Sequence, residues 1–237
     1  MTASLKPYPA YKDSGVEWLG RIPEHWETKR LKFLARVNPG KSEIANLPDD
    51  TEVSFLPMEQ IGAHGSLTLE ETRPLASVWT GFTYFRDGDV VVAKITPCFE
   101  NGKGALCRSL VNGIGFGTTE LHVIRPLQAL DAVFMWYVVA SDAFRAIGVT
   151  EMSGAAGQQR VPDGFVSNYP ASVPSLPEQR AIAAFLDRET QRSDALVEKK
   201  ERLVELLREK RTALISHAVT RGLDHNCPVK ILRGVGK

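Results

Sequence analysis

One long segment without a helix-breaking residue dominates the C-terminal part of the sequence. Between Leu176 and Thr220 there is no glycine, and Pro177 is the only proline. Apolar residues recur three or four positions apart in clusters, which is the pattern of a helix with one packed face. About 43 residues of helix would extend roughly 65 Å. A helix of this length cannot bury its apolar face within its own small domain, so we expect it to lie against another helix.

The expected partner is a second, antiparallel helix. The apolar stripe is interrupted between Arg188 and Asp194, which favours an antiparallel pair over a long parallel zipper. The polar face alternates in charge, as is typical of a solvated face with weak i,i+4 pairs. A role of that face in steering DNA or a partner subunit is the alternative. The residues assigned to the partner helix contact are Ile182, Phe185, Leu186, Leu196, Leu203, Leu206, Leu207 and Leu214.

The composition is that of a soluble globular protein. Hydrophobic residues make up 43% of the chain and charged residues 24%, both ordinary values. No stretch approaches the roughly 20 apolar residues of a membrane span, and no signal peptide is apparent. Cys98, Cys107 and Cys227 lack metal-ligand spacing, so we expect reduced thiols in a cytoplasmic protein. The net charge of +1 neither favours nor excludes nucleic acid as a partner.

The first 175 residues predict an α+β fold with a mixed α/β domain. Alternating and continuous apolar runs bounded by turn residues indicate β-strands. A turn is predicted for the glycine-rich run 112–117, between the last two of these strands. The predicted strands are residues 51–58, 89–95, 104–108 and 119–125.

Three further features complete the expected domain. Helical spacing of apolar residues predicts one helix over residues 131–146. Trp18 and Trp26 lie among the prolines and glycines of the first 26 residues, and we expect both to be buried anchors. Four prolines between 162 and 177 predict a hinge without regular structure.

Polar side chains suited to contact DNA occur in three segments. Residues 88–103 form a predicted strand and a proline-stopped loop, and residues 117–126 a glycine-rich turn into a strand. Small residues in 154–162 would let the backbone approach DNA, while glutamine and arginine bind base edges and phosphates. The alternatives are a strand-end lysine that keeps its amine in solvent and a purely structural loop. The candidate DNA contacts are Lys94, Thr96, Asn101, Lys103, Thr118, Thr119, Gln158, Gln159 and Arg160.

A metal-dependent nuclease is the enzymatic alternative. Asp87, Asp89, Glu100 and Lys103 are the residue types that hold magnesium at a scissile phosphate. Their spacing is wrong for such a site, because Lys103 follows Glu100 across an apparent turn. The five histidines are scattered, without zinc spacing. We therefore predict no catalytic residue, no metal and no cofactor.

Five segments in order resemble the DNA-specificity subunits of type I restriction-modification systems. They are the opening Ser14–Trp26, residues 88–103, 117–126 and 154–162, and the start of the long helix at 176–182. The resemblance extends over nearly the whole chain, to about residue 228. No single segment is diagnostic, but the five in this order are quite specific.

The resemblance implies a division of the chain into three parts. Residues 1–175 would be a target-recognition domain that reads one half of a bipartite site. Residues 176–221 would be a conserved spacer and dimerisation helix, and 222–237 an irregular tail. The implied partners are double-stranded DNA, two methyltransferase subunits and possibly a restriction subunit. The chain itself would be non-catalytic.

Members of this family usually carry two recognition domains and two long helices, whereas this sequence has one of each. We therefore expect two copies to form a homodimer through the long helix and so restore a specificity subunit with two recognition domains. The alternative is a truncated remnant that docks methyltransferase subunits and competes with a full subunit without reading a complete site. In a member with two domains in tandem, residues 226–230 would lead into a second copy of the segment 12–20, whereas this sequence continues differently after about Lys230. This difference is the basis of the hypothesis that a frameshift ended a formerly two-domain protein.

Overall fold

The computed structural model describes residues 7–155 and 157–223, and these contain twelve β-strands and five α-helices. Internal contacts divide the chain into two units, residues 1–184 and 185–237. The predicted α+β class with one long C-terminal helix is confirmed, as are all four predicted strands. Most of the predicted tail, from residue 224 onwards, lies outside the described residues. The elements are β1 (Tyr11–Asp13), β2 (Arg21–Pro23), β3 (Glu27–Arg30), β4 (Ala35–Val37), β5 (Glu52–Leu56), β6 (Thr72–Pro74), α1 (Leu75–Val78), β7 (Thr83–Arg86), β8 (Val90–Ala93), β9 (Gly104–Leu106), β10 (Ile114–Gly117), β11 (Leu121–Pro126), α2 (Ala132–Ala140), α3 (Asp142–Thr150), α4 (Asp163–Asn168), β12 (Pro170–Val173) and α5 (Leu176–Arg221).

Two four-stranded sheets form the centre of the first unit. The first sheet has the order β6-β5-β10-β7, with β5 and β10 parallel and the other pairs antiparallel. The second sheet, β4-β11-β8-β9, is antiparallel throughout. Two small sheets, the hairpin β1-β2 and the pair β3-β12, complete the strand pairing of the described residues.

Strand β8 lies between two layers and is buried on both faces. Val90 and Val92 belong to a core shared with helices α2, α3 and α4. Val91 and Ala93 belong to a second core, which includes Phe85 of the first sheet. Because successive side chains of a strand point to opposite faces, a strand covered on both sides needs an unbroken apolar run. This explains why the sequence of β8 is apolar throughout.

The glycine-rich run 112–117 was predicted as a turn, and this prediction is wrong for its second half. Residues Ile114–Gly117 form β10, which lies between β5 and β7 in the first sheet. A Cβ atom on Gly115 would lie 2.1 Å from the ring of Phe85, and one on Gly117 would lie 2.6 Å from the Leu56 carbonyl oxygen. These glycines therefore allow close packing inside a sheet.

The single helix predicted over residues 131–146 is two helices, α2 and α3, which meet at Ser141. Ser141 has an extended backbone, and its hydroxyl accepts a hydrogen bond from the Phe144 N–H at 3.2 Å. Serine is a favoured N-cap, so it starts a new helix where apolar periodicity alone predicts continuation. Within the described part of the chain, no single helix is long and apolar enough to cross a membrane, although α2 and α3 together, bent by 56°, meet that criterion.

The proline-rich stretch before the long helix is regular, contrary to the prediction of an unstructured hinge. It contains helix α4 and strand β12, which pairs with β3 along its whole length. Three of the four prolines occupy positions that need no backbone donor. Pro162 precedes α4, Pro170 begins an edge strand, and Pro177 lies in the first turn of α5, all sites where proline is tolerated.

The two N-terminal tryptophans differ in burial. Trp26 is half-buried, and its indole N–H donates to Glu178 at 3.1 Å. Trp18 was predicted to be buried but is 41% exposed. Its ring stacks on Tyr169, with centroids 5.2 Å apart, so only part of its surface is covered.

The first turn of α5 is bound to the domain by two adjacent polar residues. The Glu178 carboxylate accepts hydrogen bonds from the Tyr8 hydroxyl at 2.6 Å and from Trp26, and it lies 3.0 Å from the His25 imidazole. Burial opposes ionisation of Glu178, but these donors outweigh it and lower its pKa.

Gln179 is fully buried one residue later. Its amide oxygen accepts from the Asp131 N–H at 2.8 Å, and its amide nitrogen donates to the Ala129 and Pro174 carbonyls. Ala183 and Ile182 follow in the same core as helices α2–α4. The side chain of Ile182, assigned from the sequence to the partner face, is therefore already partly covered by the domain.

A buried ion-pair network links the two four-stranded sheets. The Arg125 guanidinium of β11 makes two 2.7 Å hydrogen bonds to the Asp89 carboxylate, beside the start of β8. It also pairs with Glu43, which accepts from the Tyr84 hydroxyl of β7 at 2.7 Å. Burial opposes the charge on Glu43, but these hydrogen bonds outweigh it and lower its pKa. Asp89 and Arg125 are 1% and 7% exposed, so each charge depends on the other.

The second unit is described from residue 185 to 223 and is helical to Arg221. Its large apolar side chains are exposed: Leu196, Leu203, Leu207 and Leu214 are each 53–59% accessible. Their intervals are seven, four and seven residues, so they lie on one face of the helix.

Candidate nucleic-acid interface

Two of the segments predicted to contact DNA meet at one end of the second sheet. Strand β8 ends at Ala93 and β11 begins at Leu121, and these two residues are paired in the antiparallel ladder. The residues that follow β8 and those that precede β11 therefore leave the sheet at the same edge. The Lys94 N–H donates to the Glu120 carbonyl at 2.9 Å, which extends the pairing by one step.

The third segment crosses the same edge. The Val161 N–H donates to the Lys94 carbonyl at 2.9 Å, and the Thr96 N–H donates to the Gln159 carbonyl at 3.0 Å. Arg160 also forms an isolated β-bridge with Ile95. All nine candidate DNA contacts thus lie in three neighbouring segments. We call residues 94–103, 118–120 and 158–160 the loop cluster.

An ion pair joins two segments of the loop cluster. The Arg160 Nε and Nη2 atoms donate to the two carboxylate oxygens of Glu120, both at 2.8 Å. The hydrogen bond from Arg160 lowers the pKa of Glu120, and the same bond raises the pKa of Arg160. The remaining terminal nitrogen of Arg160 lies 3.3 Å from the Gln158 carbonyl. The guanidinium is thus already engaged in the free protein.

Sequence reasoning missed Glu120, although it lies in a quoted segment. A single glutamate before a strand carries no signal that its partner is 40 residues away. His122 was also missed. It is fully buried, and its Nε2 atom lies 2.9 Å from the Val161 carbonyl, behind the third segment. Burial is the largest influence on His122 and lowers its pKa. Because a carbonyl oxygen only accepts, Nε2 is the donor in this contact, while Nδ1 lies 3.2 Å from the Asp163 carboxylate.

The other side chains of the loop cluster differ in how far they are exposed and in whether they already form hydrogen bonds within the protein. The Lys103 amino group donates to the Met58 carbonyl at 2.8 Å, and the Thr118 hydroxyl accepts from the Glu120 N–H at 3.2 Å. Asn101, Thr119, Gln158 and Gln159 are exposed, whereas Lys94 and Thr96 are half-buried. Exposed amides and hydroxyls donate and accept hydrogen bonds, so this edge of the sheet can contact base edges as well as phosphates.

The residues of the nuclease alternative do not form a common site. Asp89 is paired with Arg125 in the interior, and Asp87 accepts from the Leu110 N–H at 3.1 Å. Glu100 and Lys103 both lie in the 94–103 segment of the loop cluster, apart from this interior pair. Among residues 7–155 and 157–223, no group of three histidine, cysteine, aspartate or glutamate side chains is placed to hold a metal ion.

Comparisons with known proteins identify relatives of one kind. The family described as the type I restriction modification DNA specificity domain matches residues 23–206. The specificity subunit of the type I restriction enzyme EcoEI from Escherichia coli is 40% identical over 183 residues. The EcoAI specificity subunit from the same organism is 39% identical over 179 residues. Each match covers 75% of this chain but 30% of the relative, so this chain spans less than a third of their length.

Solved structures share the fold at low sequence identity. A chain from a study of complex assembly and conformational transition of the type I R-M system has a TM-score of 0.63 at 17% identity, covering 90% of this chain and 49% of that chain. The HsdS subunit from Thermoanaerobacter tengcongensis has a TM-score of 0.55 at 17% identity, covering 90% and 48%. With the family match extending over most of its length, the chain belongs to the type I restriction modification DNA specificity domain family.

Proposed function

We propose that this chain is a non-catalytic subunit that recognises a DNA sequence for a type I restriction-modification complex. The observation that carries this proposal is the loop cluster, where three segments distant in sequence present amide, hydroxyl and amino groups at one sheet edge. Glutamine and asparagine pair with adenine in the major groove, and arginine pairs with guanine. Lysine and threonine side chains position a protein on the phosphates. We place this activity in the cytoplasm, with the DNA.

Selection from random DNA tests the proposal. The purified chain is incubated with a library of random duplexes, and bound molecules are enriched, sequenced and measured by gel shift. We expect one short motif per copy of the chain, with affinity that falls steeply as salt increases. Recovery of no motif over several rounds, with equal affinity for all duplexes, would contradict sequence recognition by the chain alone.

Arg160 and Glu120 provide a sharper test of the loop cluster. If Arg160 leaves Glu120 to bind a guanine, Arg160→Ala is expected to lower DNA affinity by about 5–150-fold and to relax preference at one position. Glu120→Gln would then keep or increase affinity, because it removes a negative charge and frees the guanidinium. If the pair only holds the loops in place, both variants weaken binding alike. Lys12→Ala, on the β1-β2 hairpin, is the control, and gel shift is the measurement.

We further propose that two copies associate through α5 and thereby present two loop clusters to a bipartite site. The support is the exposed face that contains Leu196, Leu203, Leu207 and Leu214. A second antiparallel copy would bury this face and supply the second recognition domain. Methyltransferase subunits, and a restriction subunit in the larger assembly, are the protein partners we propose.

Introducing a charge on this face is expected to dissociate the dimer. Leu203→Lys loses the burial of a leucine in both copies and places an ammonium group in an apolar contact. At roughly 1.5–3 kcal/mol per leucine, the two copies together lose about 3–6 kcal/mol, so the dimer dissociation constant should rise by at least about 100-fold. Sedimentation velocity over a concentration series measures this change. Gln191→Lys, on the opposite face of the helix, is the matched control. A wild-type chain that stays monomeric at every concentration would contradict the proposed homodimer.

A further inference from the structure

A second site of defined chemistry lies outside the loop cluster. A groove of about 450 Å³ opens beside helices α3 and α4, and its walls include the aromatic rings of Trp18, Phe165 and Tyr169. None of the nine candidate DNA contacts, all of which the structure describes, lines it. The groove is therefore a separate surface from the one that we assign to DNA bases.

The aromatic wall of the groove is built around Tyr169. Its ring packs against Trp18 with centroids 5.2 Å apart and an interplanar angle of 33°, and against Phe165 at 5.7 Å and 69°. Tyr169 is 3% exposed, whereas Trp18 is 41% exposed. The buried ring thus supports the exposed indole, and part of the indole surface stays open to a ligand. Tryptophan is among the residue types that most often contribute the largest share of the binding energy at protein interfaces.

Two hydrogen-bond acceptors line the same groove. Glu151 caps the end of α3, and no described side chain forms an ion pair with its carboxylate. The Asn168 amide nitrogen donates to the Gly164 carbonyl at 2.9 Å, so the amide oxygen is turned away from that bond and can accept another. Aromatic faces beside a carboxylate and an amide oxygen are the surroundings that bind a guanidinium or ammonium group.

We propose that this groove binds an arginine side chain presented by a partner protein. A guanidinium stacks flat on an indole and donates to two acceptors at once, whereas an ammonium is a point charge that is more strongly hydrated. The Glu151 carboxylate would repel a phosphate, which argues against DNA as the occupant. That the partner is a methyltransferase subunit rests on the proposed function, but the preference of the groove for a guanidinium does not.

A titration of the full chain with small probes tests this preference. The probes are N-acetyl-arginine amide and its neutral analogue N-acetyl-citrulline amide, which has the same shape. The indole N–H signal of Trp18 is followed in a ¹⁵N-labelled sample and is assigned by its loss in Trp18→Phe. We expect a saturable shift with the arginine probe and at least a tenfold weaker response to citrulline. Equal responses to the two probes, or no shift of the Trp18 signal, would overturn the proposal.

Substitution of the exposed Glu151 carboxylate tests the same site without disturbing the folded core. Glu151→Gln changes an exposed side chain at a helix end, and it is expected to weaken binding of the arginine probe about fivefold to tenfold. Glu70→Gln, an exposed glutamate elsewhere, should leave it unchanged. An unaltered affinity in Glu151→Gln would show that the carboxylate is no part of a cation site.

Variants of the groove also test whether the methyltransferase subunit is the partner that binds there. Trp18→Ala and Glu151→Gln are expected to weaken capture of the purified methyltransferase subunit, while the DNA motif selected by the chain stays the same. Phe33→Ala, which removes an aromatic ring that is 68% exposed, is the matched control. If the wild-type chain captures the subunit and both groove variants do so equally well, the groove is not its docking site. If the wild-type chain captures no subunit, the proposed assembly is wrong. The titration with the arginine and citrulline probes then remains the test of whether the groove binds a guanidinium.

Discussion

Replacing Asp89 with alanine is expected to lower the free energy of unfolding of the first unit by about 3–5 kcal/mol. The substitution removes the carboxylate that holds the buried Arg125 guanidinium through two 2.7 Å hydrogen bonds. Arg125 would keep its charge in the interior, with Glu43 as its remaining ion-pair partner among the described residues. An unpaired buried charge is among the largest single-residue costs known. Urea unfolding measures the change, with tryptophan fluorescence as the signal, because all four tryptophans precede residue 184.

Two further variants separate loss of the ion pair from a general effect of mutation. Asp50→Ala removes an exposed aspartate and should change stability by less than about 0.5 kcal/mol. The double variant Asp89→Ala with Arg125→Met removes both charges, and it should be more stable than Asp89→Ala alone. If the double variant is less stable than the wild type by the sum of the effects of Asp89→Ala and Arg125→Met measured singly, the two residues are not coupled.

Replacing Gln179 with leucine is expected to lower the free energy of unfolding by about 2–4 kcal/mol. Leucine has a similar volume but cannot hydrogen-bond, so the Asp131 N–H and the buried Pro174 carbonyl lose their partner. Each polar group left unsatisfied in the interior costs about 1–3 kcal/mol. The same urea experiment reports the effect, since Gln179 lies in the unit that contains the tryptophans.

The adjacent residue provides the control for Gln179. Arg180 is exposed, and its guanidinium lies 3.6 Å from Asp131, a contact that is worth little at the surface. Arg180→Leu should therefore leave the unfolding midpoint nearly unchanged. If Gln179→Leu is as stable as Arg180→Leu, then the three hydrogen bonds of Gln179 do not hold the start of α5 on the domain.

The large features of the fold could be predicted from the sequence because each has a local cause. The long helix has no breaker after Pro177, and β8 is an unbroken apolar run. The errors arise where tertiary contacts override local preference. Gly115 looks like a turn residue until Phe85 occupies the space of its side chain. Ser141 looks like the interior of a helix until its hydroxyl caps the next one.

The candidate site could be predicted only as a set of residue types. Nothing in the sequence shows that Lys94 and Arg160 belong to neighbouring segments, because backbone hydrogen bonds between residues 94–96 and 159–161 bring the two together only in the fold. The sequence also does not reveal that Glu120 holds Arg160, or that Gln179 and Glu178 have structural roles at the helix start. Such contacts join residues 40 or more positions apart, and no local pattern encodes them.

Mapping methylated bases genome-wide by single-molecule sequencing tests the central claim most directly. The chain is co-expressed with the proposed methyltransferase subunit in cells that lack other DNA methyltransferases. A symmetric reader made of two copies of this chain predicts one gapped, palindromic methylation motif, whose half-sites change or disappear when Arg160 and its loop are altered. A chain that co-purifies with the methyltransferase subunit but directs no methylation would contradict this account, and it would identify the protein as a remnant that assembles without reading DNA.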